Sequence, residues 1–239
     1  MNLSVDAPPR GSGPPATGRS LVFYGKGGAG KTTLACALLD AAVGAGWRTL
    51  LVDADPQCGA ALKRMRQEGW RAAPGASLRA LAYQGRRRET ADLAAQLTAD
   101  LIQRPGYNLL AMGRLTGEGC YCGAFAAVAA LLPTWVPRYD LTLVDCVAGP
   151  EPVSRGILAG AGSRAVLVSS PDPDDLLLAE VVLTTLRARQ PAVPVVRVLN
   201  RVRGHVEVPL AWATALVVPE GAISPARGTQ LLAALLGGR

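Results

Sequence analysis

A doubly wound α/β sheet, mostly parallel and covered by helices on both faces, is the fold class the sequence predicts. Three observations carry it. Short apolar runs alternate with helical patterns, beginning with Leu21-Val22-Phe23, then Leu34 to Val43 at helical spacing, then Leu50-Leu51-Val52. These runs show little polar alternation, as expected of strands covered on both faces. The first run leads into a glycine loop, Gly25-Lys26-Gly27-Gly28-Ala29-Gly30-Lys31-Thr32-Thr33, and the loop opens a helix.

The elements follow in order. A helix is predicted over 32–44, ended by Gly44 and Gly46, with Cys36 as a small core residue. A strand follows at 48–53. Residues 59–105 read as two or three helices with an arginine-rich break at 85–88. Leu93, Ala94, Leu97, Leu101 and Ile102 form one helical stripe there. A strand is expected at 107–112, a glycine-rich loop at 113–123, and a short helix at 124–132 stopped by Pro133. Further strands are expected at 140–145, 164–169, 194–199 and 206–210, with helices over 174–189 and 225–236. No internal repeat is visible. Residues 1–19, with four prolines, read as a disordered lead-in, and 20–239 as a single domain.

Composition narrows the function classes. With 239 residues and 49% hydrophobic content the chain can bury a full core. No apolar run approaches the roughly 20 residues that span a bilayer, and no secretory signal is visible. Five cysteines, an odd number, fit reduced thiols in a cytoplasmic protein. The net charge of +7 raises nucleic acid as a partner, but only three of the 25 basic residues are lysines. Two of them, Lys26 and Lys31, lie in the glycine loop. The rest of the excess is arginine in an Ala/Arg/Gly/Pro-rich chain, so DNA is not the expected partner. Arg86-Arg87-Arg88 reads as a solvated loop, with contact to an anionic partner left open.

The loop meets G-x4-G-K-[ST] between a strand and a helix, the setting in which such a loop cradles phosphate. Glycines let successive N–H groups turn inward, and the helix that starts here adds unpaired N–H groups and its positive end. Lys31 is placed to reach the β- and γ-phosphates of a nucleotide, and the Thr32 hydroxyl to coordinate Mg²⁺. Asp53 and Asp55 end the second strand, where ligands of such sheets bind. One carboxylate can stand near Mg²⁺ and the other can orient an attacking water. Asp145 ends the strand Leu141-Thr142-Leu143-Val144, the pattern of a carboxylate that holds Mg²⁺ through water.

Cys120-Tyr121-Cys122 is the second informative feature. Two thiolates so spaced supply half of the usual four ligands of a soft metal ion. A second copy of the loop across a two-fold axis could supply the rest. Two incidental thiols are the other reading. Cys58 and Cys146 adjoin the strand-end aspartates, as packing or redox residues. His205 is expected to be structural or solvated.

Lys26 to Thr33 resembles the deviant Walker A motif of the dimerising ATPases that include nitrogenase iron protein, the partitioning and septum-positioning ATPases and metal-insertion ATPases. The resemblance implies ATP and Mg²⁺ as cofactors and a homodimer in which Lys26 reaches the partner's nucleotide. It also implies roles for Asp55 as the catalytic residue of switch I, Asp53 close to the metal, and Asp145 as the Walker B aspartate. Gly27, Gly28, Ala29 and Gly30 would line the nucleotide, Thr33 would contact the α-phosphate, and Asn200 with Arg201 would form the base-recognition segment.

Within that superfamily the chain is most similar to the nickel-insertion ATPases that mature carbon monoxide dehydrogenase. Three blocks carry this: Met112-Gly113-Arg114 leading to Cys120-Tyr121-Cys122, Asp145 to Glu151 with Ser154-Arg155-Gly156, and Asn200-Arg201-Val202. Pro152 stands where that family usually has His. The implied function is ATP-driven delivery of Ni²⁺ or Zn²⁺, held by Cys120 and Cys122, to a client metalloenzyme. Iron protein itself fits less well, since 147–154 contains no cysteine. The alternative is a partitioning-type ATPase that positions DNA or protein cargo. No membrane partner is expected, because the C-terminal helix has no basic face.

Overall fold

The computed structural model describes residues 18–69, 95, 97, 98, 101–112, 121–157 and 162–237. One eight-stranded sheet runs through it in the order β3-β4-β2-β5-β1-β6-β7-β8. In chain order the strands are β1 (Arg19–Tyr24), β2 (Thr49–Ala54), β3 (Ile102–Arg104), β4 (Tyr107–Ala111), β5 (Leu141–Cys146), β6 (Ser163–Ser169), β7 (Val195–Val202) and β8 (Leu216–Pro219). All neighbours pair in parallel except β3 with β4.

The continuous apolar runs have their explanation in β1. Leu21 and Phe23 enter one core, Val22 and Tyr24 the other, so from Ser20 to Tyr24 no position along the strand faces water. On the Leu21 side lie α1 (Lys31–Gly44), α2 (Gly59–Gln67) and α6 (Pro225–Leu235), through Leu34, Leu38, Ala60, Leu231 and Leu235. On the other side lie α3 (Cys122–Trp135), the short α4 (Glu151–Ser154) and α5 (Pro173–Arg189), through Phe125, Val128, Val153, Ala179 and Val182. Cys36 is buried in α1, and burial pushes its thiol up to about 12. The two-faced architecture is the one the alternating pattern predicts.

Four local expectations are corrected. Strand β1 begins at Arg19, one residue inside the stretch assigned to the lead-in, the rest of which (1–17) lies outside the described residues. Ile102 belongs to strand β3 and not to a helix: Pro105 and Gly106, the latter at φ 82°, turn the chain back into β4. Helix α3 runs through Pro133 to Trp135, since the proline falls in its last turn and Leu131, Leu132 and Trp135 are buried around it. No strand forms at 206–210, where Pro209 lacks a donor and leads into a 3₁₀ turn. The strand that pairs with β7 is Leu216–Pro219.

Register places the site. Phe23 and Asp53 both pair with Asp145, so β1, β5 and β2 finish level with one another. The loops after them, 25–30, 55–58 and 147–150, therefore leave the sheet side by side at its carboxyl edge. Among the described residues no helix is long and apolar enough to cross a membrane.

Candidate functional site

The glycine loop wraps a cavity at this edge. Gly25 adopts φ 144°, and a Cβ there would lie 2.0 Å from the carbonyl oxygen of Val168, so no other residue fits. Gly30 adopts φ 98° just before α1, where a Cβ would meet Asn200 Nδ2 at 2.1 Å. Helix α1 then starts with no side-chain cap and no acidic residue in its first turn. By contrast α5 is capped by Asp172 and α6 by Ser224. The first N–H groups of α1 thus lack a side-chain acceptor at the one helix start that faces the cavity, and an anion would satisfy them.

Lys31 is 6% exposed, and its Nζ donates to the carbonyls of Gly25 at 3.0 Å and Lys26 at 2.9 Å. Burial holds its pKa below the ordinary lysine value, against the opposing pull of Asp145. Thr32 Oγ1 donates to Asp145 Oδ2 at 2.7 Å. The other oxygen, Asp145 Oδ1, is buried without a hydrogen-bond partner among the described residues. Burial pushes this carboxyl up to about 6, although the Thr32 hydroxyl and Lys31 pull the other way. A hard divalent cation fits this pair of oxygen donors, since it supplies the positive charge that an orphaned buried carboxylate oxygen lacks.

Asp53 is engaged with the backbone of the loop that follows it. It is fully buried, and both oxygens accept backbone N–H groups, from Ala61 at 2.8 Å and Asp55 at 3.2 Å. Its carboxylate holds the start of α2 and the loop before it. Burial and the neighbouring Asp145 raise its pKa well above the carboxylate range. Asp55 lines the cavity together with Gln57 and Ala148, and its Oδ1 accepts from Gln57 N at 2.8 Å. Asp55 thus borders the same cavity as Lys31 and Thr32.

A second cavity, of about 350 Å³, adjoins the first, of about 360 Å³, and shares Gly28, Gly30 and Thr33 with it. Asn200 and Arg201 line its far side with Glu220. Asn200 Nδ2 donates to the Ala29 carbonyl at 2.8 Å. Arg201 sits at φ 60° in an irregular stretch of β7, which turns its Nη1 onto the Gly28 carbonyl at 3.0 Å. The two cavities form one elongated groove with cations and helix N–H groups at one end and amide and guanidinium groups at the other.

Lys26 points away from this groove. Its Nζ pairs with Asp175 Oδ1 at 2.6 Å, and Asp175 Oδ2 accepts from the Ser170 hydroxyl at 2.6 Å. Burial pushes Asp175 upward, yet Lys26 and Ser170 outweigh it and its carboxyl lies below the usual range.

Cys120 lies outside the described residues. Cys122 opens α3, and Arg155 Nη1 donates to its sulfur at 2.7 Å. Arg155 follows α4 directly, and α4 follows Asp145 by way of Gly149, whose N–H donates to the Gly25 carbonyl at 3.1 Å. Tyr24 fastens the end of the same segment through a hydrogen bond to the Ile157 carbonyl. Pro152 sits in the first turn of α4, where a missing N–H breaks no helical bond. Among the described residues no three His, Cys, Asp or Glu side chains converge on one metal position. Buried Cys58 and Cys146 pack beneath the loops, and His205 is exposed. Arg86, Arg87 and Arg88 lie outside the described residues.

Three side-chain contacts at the site escaped the sequence reading. Asp175 and Arg155 are brought to Lys26 and Cys122 by tertiary structure alone, and no spacing announces either. Lys63 Nζ lies 2.9 Å from Thr33 Oγ1. Its rarity as one of three lysines is the signal that could have found it.

Comparison with known proteins agrees with this geometry. Residues 21–211 match the family model of the CobQ/CobB/MinD/ParA nucleotide binding domain. An uncharacterised ATP-binding protein of Methanocaldococcus jannaschii is 28% identical over 149 residues, 56% of this chain and 55% of that protein. The carbon monoxide dehydrogenase accessory protein CooC of Rhodospirillum rubrum is 29% identical over 165 residues, 62% of each. The chain thus spans somewhat more than half the length of these two relatives. Among solved structures, the septum site-determining protein MinD of Pyrococcus horikoshii, complexed with Mg-ADP, has TM-score 0.56 at 22% identity, over 89% of this chain and 85% of that one. Cobyrinic acid a,c-diamide synthase of Mycobacterium smegmatis has TM-score 0.61 at 17% identity, over 92% and 96%. A plasmid partition protein of Borrelia burgdorferi has 0.60 at 12%, over 91% and 96%. These likenesses share the sheet, and the family match covers the glycine loop, both carboxylate loops and the Asn200 segment: the chain belongs to the CobQ/CobB/MinD/ParA family of nucleotide-binding domains.

Proposed function

We propose that this chain is a Mg-ATP-dependent ATPase that dimerises on nucleotide and delivers nickel, its cargo, to a metalloenzyme of carbon monoxide dehydrogenase type. The observation that carries the ATPase reading is the meeting of Lys31, Thr32 and Asp55 around one cavity, with buried Asp145 hydrogen-bonded to Thr32 behind it. Thr32 and Asp145 would hold Mg²⁺, which supplies charge neutralisation of the phosphates. Lys31 exchanges its two carbonyl acceptors for phosphate oxygens. Asp55 orients the water whose oxygen attacks the γ-phosphorus as the bond to the ADP oxygen breaks.

In the dimer, Lys26 leaves Asp175 for the partner's nucleotide. The pair is open to solvent on the lysine side, at 41%, so screening keeps the cost of breaking it small. Asp175→Ala removes that cost and is expected to raise the ATP-bound dimer fraction by a few-fold. Sedimentation at several concentrations measures this, and an unchanged dimerisation constant counts against release of Lys26 as a step.

Nickel as cargo is supported by the resemblance of the Cys120-Tyr121-Cys122 loop and by the likeness to the accessory protein CooC. Zn²⁺ is the other soft ion that suits two thiolates. The path Gly25–Gly149–α4–Arg155–Cys122 supplies a physical connection between nucleotide and thiols. Metal and nucleotide affinities are then linked, each favouring the dimer. Metal analysis of the reduced protein, separated by size with and without ATP, tests the reading. Cys120→Ser combined with Cys122→Ser is expected to abolish stoichiometric metal and leave ADP affinity unchanged. Reduced, dimeric parent protein that carries neither nickel nor zinc sinks the delivery reading.

The net charge of +7 favours one other reading, a partitioning-type ATPase that positions DNA or protein cargo. Its mark would be DNA binding that falls steeply with salt.

A further inference from the structure

All three lysines of the chain meet at the glycine loop. Lys31 donates to two of its carbonyls, Lys26 pairs with Asp175, and Lys63 reaches Thr33 Oγ1 from α2 at 2.9 Å. Among the described residues, Lys63 has no carboxylate at ion-pair distance. A single neutral hydroxyl satisfies one of its three ammonium donors and none of its charge.

Its location gives that charge an address. Thr33 lines both cavities of the groove, between the Lys31 end and the Asn200 end. A nucleotide that lays its terminal phosphates against Lys31 and its base against Asn200 passes Thr33 with the phosphate esterified to the nucleoside. Lys63 is not needed as a strut for α2. That helix is already held by Ala61 N on Asp53, by Arg64 on Asp40 and Glu68, and by buried Ala60 and Ala61.

We propose that Lys63 is a nucleotide-binding residue, donating to the α-phosphate of a nucleoside di- or triphosphate. This rests on the nucleotide reading of the groove. It ties α2, and with it the Asp55 loop, to the ligand. Because the α-phosphate is common to ATP and ADP, the contact holds substrate and product alike and contributes to the affinity of both.

Binding of ADP, ATP and the two diastereomers of ADPαS to the parent and to Lys63→Met tests this. Methionine keeps the stem and removes the charge. ADP and ATP should weaken together by about tenfold. In the parent, sulfur at one α-position should weaken binding, and in Lys63→Met that penalty should disappear. Lys63→Arg should recover part of the affinity. Parent-like ADP affinity in Lys63→Met, weaker binding with the sulfur penalty intact, or a parent indifferent to α-sulfur each overturns the assignment. A parent that binds no ADP removes the nucleotide reading as well, so the two failures are distinct.

Discussion

Lys31→Ala is expected to weaken ATP and ADP by about 10²-fold or more, enough to remove binding at micromolar nucleotide. The ammonium is the one cation buried within the cradle, and it stands where two loop carbonyls and Asp145 converge. Removing it takes away the positive charge that offsets Asp145 and leaves two loop carbonyls facing the phosphate position, so the groove would oppose phosphate instead of drawing it in. The fold survives the change. Both carbonyls keep a backbone donor, Gly149 N for Gly25 and Ala29 N for Lys26, and the packing of α1 on the sheet through Leu34, Leu38 and Leu39 is untouched. Lys31→Arg is not expected to rescue binding, because a planar guanidinium does not fit the space of a compact ammonium. Calorimetric titration with ADP, beside a melting curve to certify folding, reads the result. Affinity within a few-fold of the parent would mean that the loop does not cradle phosphate.

What the sequence makes legible here is local in the chain. Strand β1, the glycine loop and α1 are contiguous, so glycine chemistry and apolar period announce them together. Asp145 is readable because it closes a four-residue apolar run, and the register that sets it level with Phe23 and Asp53 follows from parallel pairing. Asp53 shows where such reading stops. Its position at the strand end, level with Asp145, is legible, but its contacts with the backbone N–H groups of positions 55 and 61 arise only where the turn into α2 brings them to it. The contacts of Lys26 with Asp175, Lys63 with Thr33 and Arg155 with Cys122 depend on which strands are neighbours. Sequence spacing carries no trace of strand order. The misplacement of the last strand has the same origin, since 206–210 and 216–219 are both short and apolar, and Pro209 decides between them.

Asp55→Ala should lower ATP hydrolysis by about 10²–10⁴-fold while ADP affinity stays near that of the parent. The reason for separating the two lies in position. Asp55 stands across the cavity from the glycine loop and contacts none of its N–H groups, so it adds little to binding of the ground state. Its alanine variant does lose a second contact, the acceptance of the Gln57 N–H at 2.8 Å that shapes the loop. Asp55→Asn separates chemistry from shape, because the amide oxygen still accepts from Gln57 while the negative charge is gone. Equal loss in both variants assigns the effect to the carboxylate. Loss in alanine alone assigns it to the loop, and parental rates in both remove Asp55 from the reaction. Where the carboxylate acts, either variant holds ATP without turning it over, and the proposed dimer should accumulate on size separation with ATP and dissociate with ADP. An Asp55→Asn chain that binds ATP, fails to hydrolyse it and stays monomeric would keep the ATPase assignment and discard Lys26 as a residue acting across a dimer.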